Sequence, residues 1–145
     1  MTSNSAELLH RITSLLARSG DALVRGAFGV SYSRALLLRA VSVQPGISQR
    51  ELAQALGYTA PAVSSLLKEV RLAGWVTVSE SSTSKRVNEV FLTGVGAELE
   101  AGISETLNTR FHDVLRTASV NEGDLIEMLI RIEAVLSGKK EPDNG

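Results

Sequence analysis

Few side chains in this sequence could do covalent or metal chemistry. Cysteine is absent, and the two histidines, His10 and His112, stand near opposite ends of the chain. There is therefore no thiolate for zinc, no cysteine nucleophile and no disulfide framework. The two imidazoles could meet across a dimer as a ligand or pH-sensing pair, but they read more simply as two independent, partly exposed histidines. Ser64-Ser65 falls in the middle of a helical stretch with no G-x-S-x-G around it, which is not the setting of a nucleophile elbow. Gly94-x-Gly96 opens a helix but lacks a third glycine, a preceding βαβ unit and a later acidic ribose ligand, so it reads as the shaping of a junction. No enzyme and no cofactor are expected. What remains is polar and basic: Ser64, Ser65, Lys68 and Arg71 in one stretch, and Lys85-Arg86 in another.

The elements that must position these groups are legible from periodicity. Apolar residues Leu8, Leu9, Ile12, Leu15, Leu16, Leu23 and Ala27 recur every three or four positions and predict an amphipathic helix from Ala6 to about Phe28, weakened at Gly20. Tyr32 to Val43 is apolar around most of its circumference, as a central buried helix should be, and Gln44-Pro45-Gly46 ends it. Ser48 and Glu51 form an S-x-x-E capping box, with Ile47 and Leu52 as a hydrophobic staple, so a short helix starts at Gln49. Leu52, Ala53 and Leu56 face inward, and Gly57 lets the chain leave the helix. Thr59 then caps a second helix with Pro61 in its first turn and Val63, Leu66, Leu67 and Val70 as its buried stripe. The helical step places Pro61, Ser65 and Lys68 on the opposite face, flanked by Ser64 and Arg71.

After Gly74 the period changes to two. Val76 and Val78 alternate with Thr77 and Ser79, Glu80 to Lys85 is a polar loop, and Val87 to Leu92 is a second β-rich run, which together predict a hairpin with a long tip. Thr93 can cap a further helix with Val95, Leu99, Ile103, Leu107, Phe111, Val114 and Leu115 as apolar positions. A last helix from about Glu122 carries Leu125, Met128, Leu129, Ile132, Val135 and Leu136, and residues 139–145 read as a flexible tail.

A short capped helix, a glycine turn and a second helix with small polar residues outward is the helix-turn-helix pattern, whose second helix enters the major groove of DNA. A hairpin with a basic tip extends it to a winged helix. The expected fold is thus mainly α, a winged helix-turn-helix with a small antiparallel hairpin. Residues 29–93 form the DNA-binding lobe, and residues 1–28 and 94–138 form dimerisation helices, whose long apolar stripes one winged-helix core cannot cover.

Composition agrees with one globular domain: 145 residues, 43% hydrophobic and 21% charged, with aromatics at only 4% so that the core must be aliphatic. No apolar run is long enough for a membrane span, and the N-terminal residues show no signal-peptide core, so a cytoplasmic protein is expected. The net charge of −1 hides a segregation: residues 1–43 and 44–93 are net basic, whereas residues 94–145 carry ten acidic against five basic groups.

The stretch from Tyr32 to Gly96 resembles the MarR family of bacterial transcription regulators, with SQRELAQALGYTAPAVSSLLKEVRLAGWV as the helix-turn-helix and FLTGVG closing the wing. That resemblance implies a homodimeric, sequence-specific regulator, most often a repressor, on a pseudo-palindromic double-stranded operator. It also implies a small aromatic or phenolic anion as effector, bound between dimer helices and DNA-binding lobe. The candidate DNA-contacting set is Thr59, Pro61, Ser64, Ser65, Lys68 and Arg71, with Lys85 and Arg86 of the wing. In the family an Asp-x-Arg precedes the second wing strand, the arginine reaching into the minor groove and the aspartate bracing it. Here Arg86 matches the arginine and Ser84 replaces the aspartate, which leaves the brace with a neutral, weaker acceptor. The alternative reading is a winged-helix module that binds protein instead of DNA, since the outer face is only mildly basic.

Overall fold

The computed structural model describes residues 2–80 and 88–138. The expected wing tip with Ser84, Lys85 and Arg86, and the expected tail 139–145, lie outside the described residues. Among these residues there are six helices and three strands: α1 (Ser5–Phe28), α2 (Tyr32–Val43), β1 (Ile47–Ser48), α3 (Gln49–Leu56), α4 (Ala60–Leu72), β2 (Val76–Glu80), β3 (Asn88–Leu92), α5 (Gly94–Thr117) and α6 (Glu122–Leu136). The chain divides into two compact units, with the division after Leu107 inside α5.

In the first unit the strands form one antiparallel sheet in the order β1-β3-β2. Val76 pairs with Leu92 and Glu80 with Asn88, which makes the expected hairpin, and Val76 and Val78 pack on the core as their alternation predicts. The third strand is an addition to the expected two-stranded hairpin. Ile47 and Ser48 pair with Val90 and Glu89 while also serving as entry and cap of α3. Two residues are too few to display a period, which is why this strand has no signature of its own.

The main core lies between helices and sheet: Leu37, Leu38 and Val41 of α2, Leu52 of α3, Val63, Leu67 and Val70 of α4, and Ile47, Val76 and Val90 from the three strands. A second cluster joins Val24 of α1, Val30, Ala35 of α2 and Ile103 of α5. The residues of α1 that are buried, Gly20 and Val24, are not those of its predicted apolar stripe. Leu8, Leu9, Ile12 and Leu15 of that stripe are exposed.

Two glycines allow close approach. A Cβ on Gly20 would lie 2.8 and 2.9 Å from atoms of the Tyr32 ring, so this residue, which costs helix propensity, admits the aromatic ring against α1. A Cβ on Gly96 would collide with the backbone oxygen of Trp75, which gives this glycine its structural reason, whereas a Cβ on Gly94 would meet open space. Thr93 caps α5 as its position predicts: its Oγ1 accepts from Gly96 N at 3.0 Å and donates to the Gly74 carbonyl at 2.7 Å. Glu100 of α5 is buried, its Oε1 accepting from Ser104 Oγ at 2.5 Å and lying 3.4 Å from Arg39 of α2.

In the second unit the end of α5 turns into α6 through Ser119, a residue in the left-handed region at φ 57°. Asn121 caps α6 by accepting from Asp124 N at 3.0 Å. His112 Nδ1 lies 2.6 Å from Glu122 Oε2, tying the two helices at this corner. Leu115 is buried, but no residue of α6 is.

Candidate nucleic-acid interface

The second helix of the predicted pair, α4, is held from both ends. Before it, the capping box of α3 closes as its sequence requires: Glu51 N donates to Ser48 Oγ at 3.1 Å and Ser48 N to Glu51 Oε1 at 3.2 Å. Gln44 Nε2 donates to the other Glu51 oxygen at 2.8 Å. These bonds, the one from Gln44 foremost, hold the Glu51 carboxyl below the usual carboxylate range. Gly57 ends α3 at φ 66°, a conformation costly for other residues, and the chain re-enters a helix three residues later. Thr59 caps α4 by accepting from Ala62 N at 3.3 Å, and Pro61 sits in the first turn, where its missing N–H costs no intrahelical bond.

With Val63, Leu67 and Val70 turned into the core, α4 exposes Pro61, Ser64, Ser65, Lys68 and Arg71. Thr59 is exposed at the cap. The structure therefore gathers the six predicted residues of this helix on one surface, while Lys85 and Arg86 lie outside the described residues. Leu72, which is not among the predicted residues, lies on the same surface. At 100° per residue, Pro61, Ser65, Lys68 and Leu72 fall within an arc of about 60°, and Leu72 is 80% exposed. The spacing alone would have found it.

The electrostatics of the surface depend on a partner in α2. Glu69 is the acid on α4, and both Arg34 Nε, at 3.0 Å, and a terminal Arg34 nitrogen, at 2.9 Å, reach its Oε2. This pair offsets the charge that would repel a polyanion. Lys68 and Arg71 take part in no ion pair among the described residues, so α4 presents net positive charge outward. Small hydroxyls and a lysine on an exposed helix face can donate and accept hydrogen bonds at base edges.

The comparisons with known proteins agree with this geometry. The MarR family profile matches residues 28–87. No curated protein matches the sequence. Among solved structures, the transcriptional regulator BldR from Sulfolobus solfataricus superposes with a TM-score of 0.77 at 22% identity, covering 89% of this chain and 94% of that one. A mutant MarR from E. coli complexed with operator DNA gives 0.74 at 19% identity, covering 90% and 92%. The Mycobacterium tuberculosis MarR family protein Rv2887 in complex with salicylic acid gives 0.69 at 25% identity, covering 92% and 97%. The fold is the winged helix-turn-helix, with a three-stranded sheet in place of the bare hairpin.

Proposed function

We propose that this chain is a MarR-family transcription regulator, a reading supported by the match of its residues 28–87 to that family's profile, and that it is a homodimeric repressor that reads a pseudo-palindromic operator with α4 in the major groove. The observation that carries this reading is the capped helix pair whose second helix turns Ser64, Ser65, Lys68 and Arg71 outward. The outer face of α4 offers two cations, Lys68 and Arg71, so high affinity calls for two lobes acting together. The dimerisation helices are those of residues 1–28 and 94–138. In support, Leu8, Ile12 and Leu15 on α1 and Leu129, Ile132 and Val135 on α6 are apolar and exposed, as surfaces awaiting a partner are. Arg86 of the wing enters the minor groove. The effector is a small aromatic or phenolic anion, a reading supported by the salicylic acid bound to Rv2887.

Footprinting on the DNA flanking its own gene tests the function. A protected two-fold element whose affinity falls steeply with salt is expected, because phosphate contacts release counterions. Protection of no element, or binding indifferent to salt, refutes it in favour of a protein-binding module. On that element Ser65→Ala and Lys68→Ala should each cost about 1–3 kcal/mol of specific binding, and equal losses on random DNA would make them phosphate contacts. Arg86→Ala should flatten the salt dependence by about one phosphate equivalent. Salicylate added to the complex should release the DNA.

A further inference from the structure

We propose that Leu72 is a specificity-determining residue that recognises the C5 methyl group of a thymine in the major groove. The inference rests on the reading of α4 as the base-reading helix and adds a contact of a different chemical kind. Leu72 is 80% exposed, the most exposed large hydrophobic side chain among the described residues of the first unit. It shares no face with the buried stripe of its own helix, Val63, Leu67 and Val70. Instead it continues the outward strip of Pro61, Ser65 and Lys68, four residues beyond the lysine.

On that strip a leucine has one kind of partner in DNA. It cannot hydrogen-bond to a base edge or a phosphate, and the apolar feature that the major groove offers is the thymine methyl. Leu72 stands seven residues after Ser65, about 10 Å along the helix axis, so the thymine it reads belongs to a different base pair from the one whose preference depends on Ser65.

The test uses the full-length protein and duplexes that it selects from a random pool. In the selected site each thymine is replaced singly by deoxyuridine, which removes the methyl group and leaves the hydrogen-bonding edge intact. One thymine in each half-site should, on replacement, weaken wild-type binding about four-fold, the equilibrium equivalent of one buried methyl group. Leu72→Ala should bind the intact site about as weakly and be indifferent to that replacement, whereas Leu72→Met and Ser65→Ala should keep the sensitivity. Far-UV circular dichroism confirms that the variants are folded. Identical deoxyuridine profiles for wild type and Leu72→Ala overturn the assignment of Leu72 and leave the DNA-reading function standing. Recovery of no preferred site overturns that function, and the thymine contact with it.

Discussion

The core beneath α4 and the helix α6 are both rich in aliphatic residues, yet they bury them very differently. Leu37, Leu38, Leu52, Val63, Val70 and Val90 are at most 1% exposed, drawn from three helices and a strand that close around one another. On α6 the same residue types stay open, with Val135 at 80% and Leu136 at 83%. Burial of aliphatic surface is the main favourable contribution to folding. The first region gains it within one chain, and in the proposed dimer the second gains it from the partner surface. Stability of the lobe and assembly of the dimer should thus be separable by mutation.

The sharpest break in that comparison is Leu129→Lys together with Ile132→Glu on α6. It should halve the mass seen by sedimentation, keep the helical signal of the first unit, and weaken operator binding at least a hundred-fold by loss of bivalent attachment. A dimer that survives both changes would refute the interface. Leu52→Ala acts on the other side. It should lower unfolding stability by about 2–5 kcal/mol in denaturant titration, without altering the oligomeric state at low denaturant.

Gly20→Ala sharpens the comparison within α1. Helix propensity alone favours alanine by about 1 kcal/mol, but the added methyl would meet the Tyr32 ring at 2.8 Å. A net loss of about 1–3 kcal/mol is expected from this overpacking, and a stabilised variant in thermal melting would show that the ring yields.

The smallest effect is acidic. Asp21 is held below the usual carboxylate range first by the Tyr32 N–H and then by Arg25, and Glu51 by Gln44 and Ser48. Because both folded-state values are depressed, their stabilisation is present above the ordinary carboxylate pKa and is lost as pH falls through it towards the lower folded values. The melting temperature should drop between pH 5 and pH 3, and more shallowly in Asp21→Asn and Glu51→Gln. Unchanged acid limbs in both variants would show that other carboxylates govern it.

Much of the fold and part of the site are legible in the residues themselves. Ser48, Glu51, Thr59 and Pro61 act within a few residues of their own position, so their capping roles follow from local order alone and appear in the structure as expected. The hairpin itself, and the inward side of Val76 and Val78, follow from alternation for the same reason. The misses lie where distant segments meet. β1 exists because Ile47 and Ser48 find β3 some forty residues later in the chain. Val24 is buried although its helix shows a different stripe, because Val30, Ala35 and Ile103 converge on it. The Arg34–Glu69 pair, which sets the charge of α4, joins residues of no sequence proximity. The exposure of Leu72 on the outer strip follows from helical spacing, against what its apolar type alone suggests.

By itself, then, the sequence determined the order and kind of the elements, the caps that start α3 and α4, and the outward strip of small and basic side chains. Those depend on backbone preferences and helical repeat, which act over one or two turns. Only the tertiary structure decided which apolar stripes are closed in the core and which remain open on α1 and α6, because burial depends on what other segments bring to a surface. It likewise decided why Gly20 and Gly96 carry no side chain, since the Tyr32 ring and the Trp75 carbonyl occupy the space where a Cβ would stand.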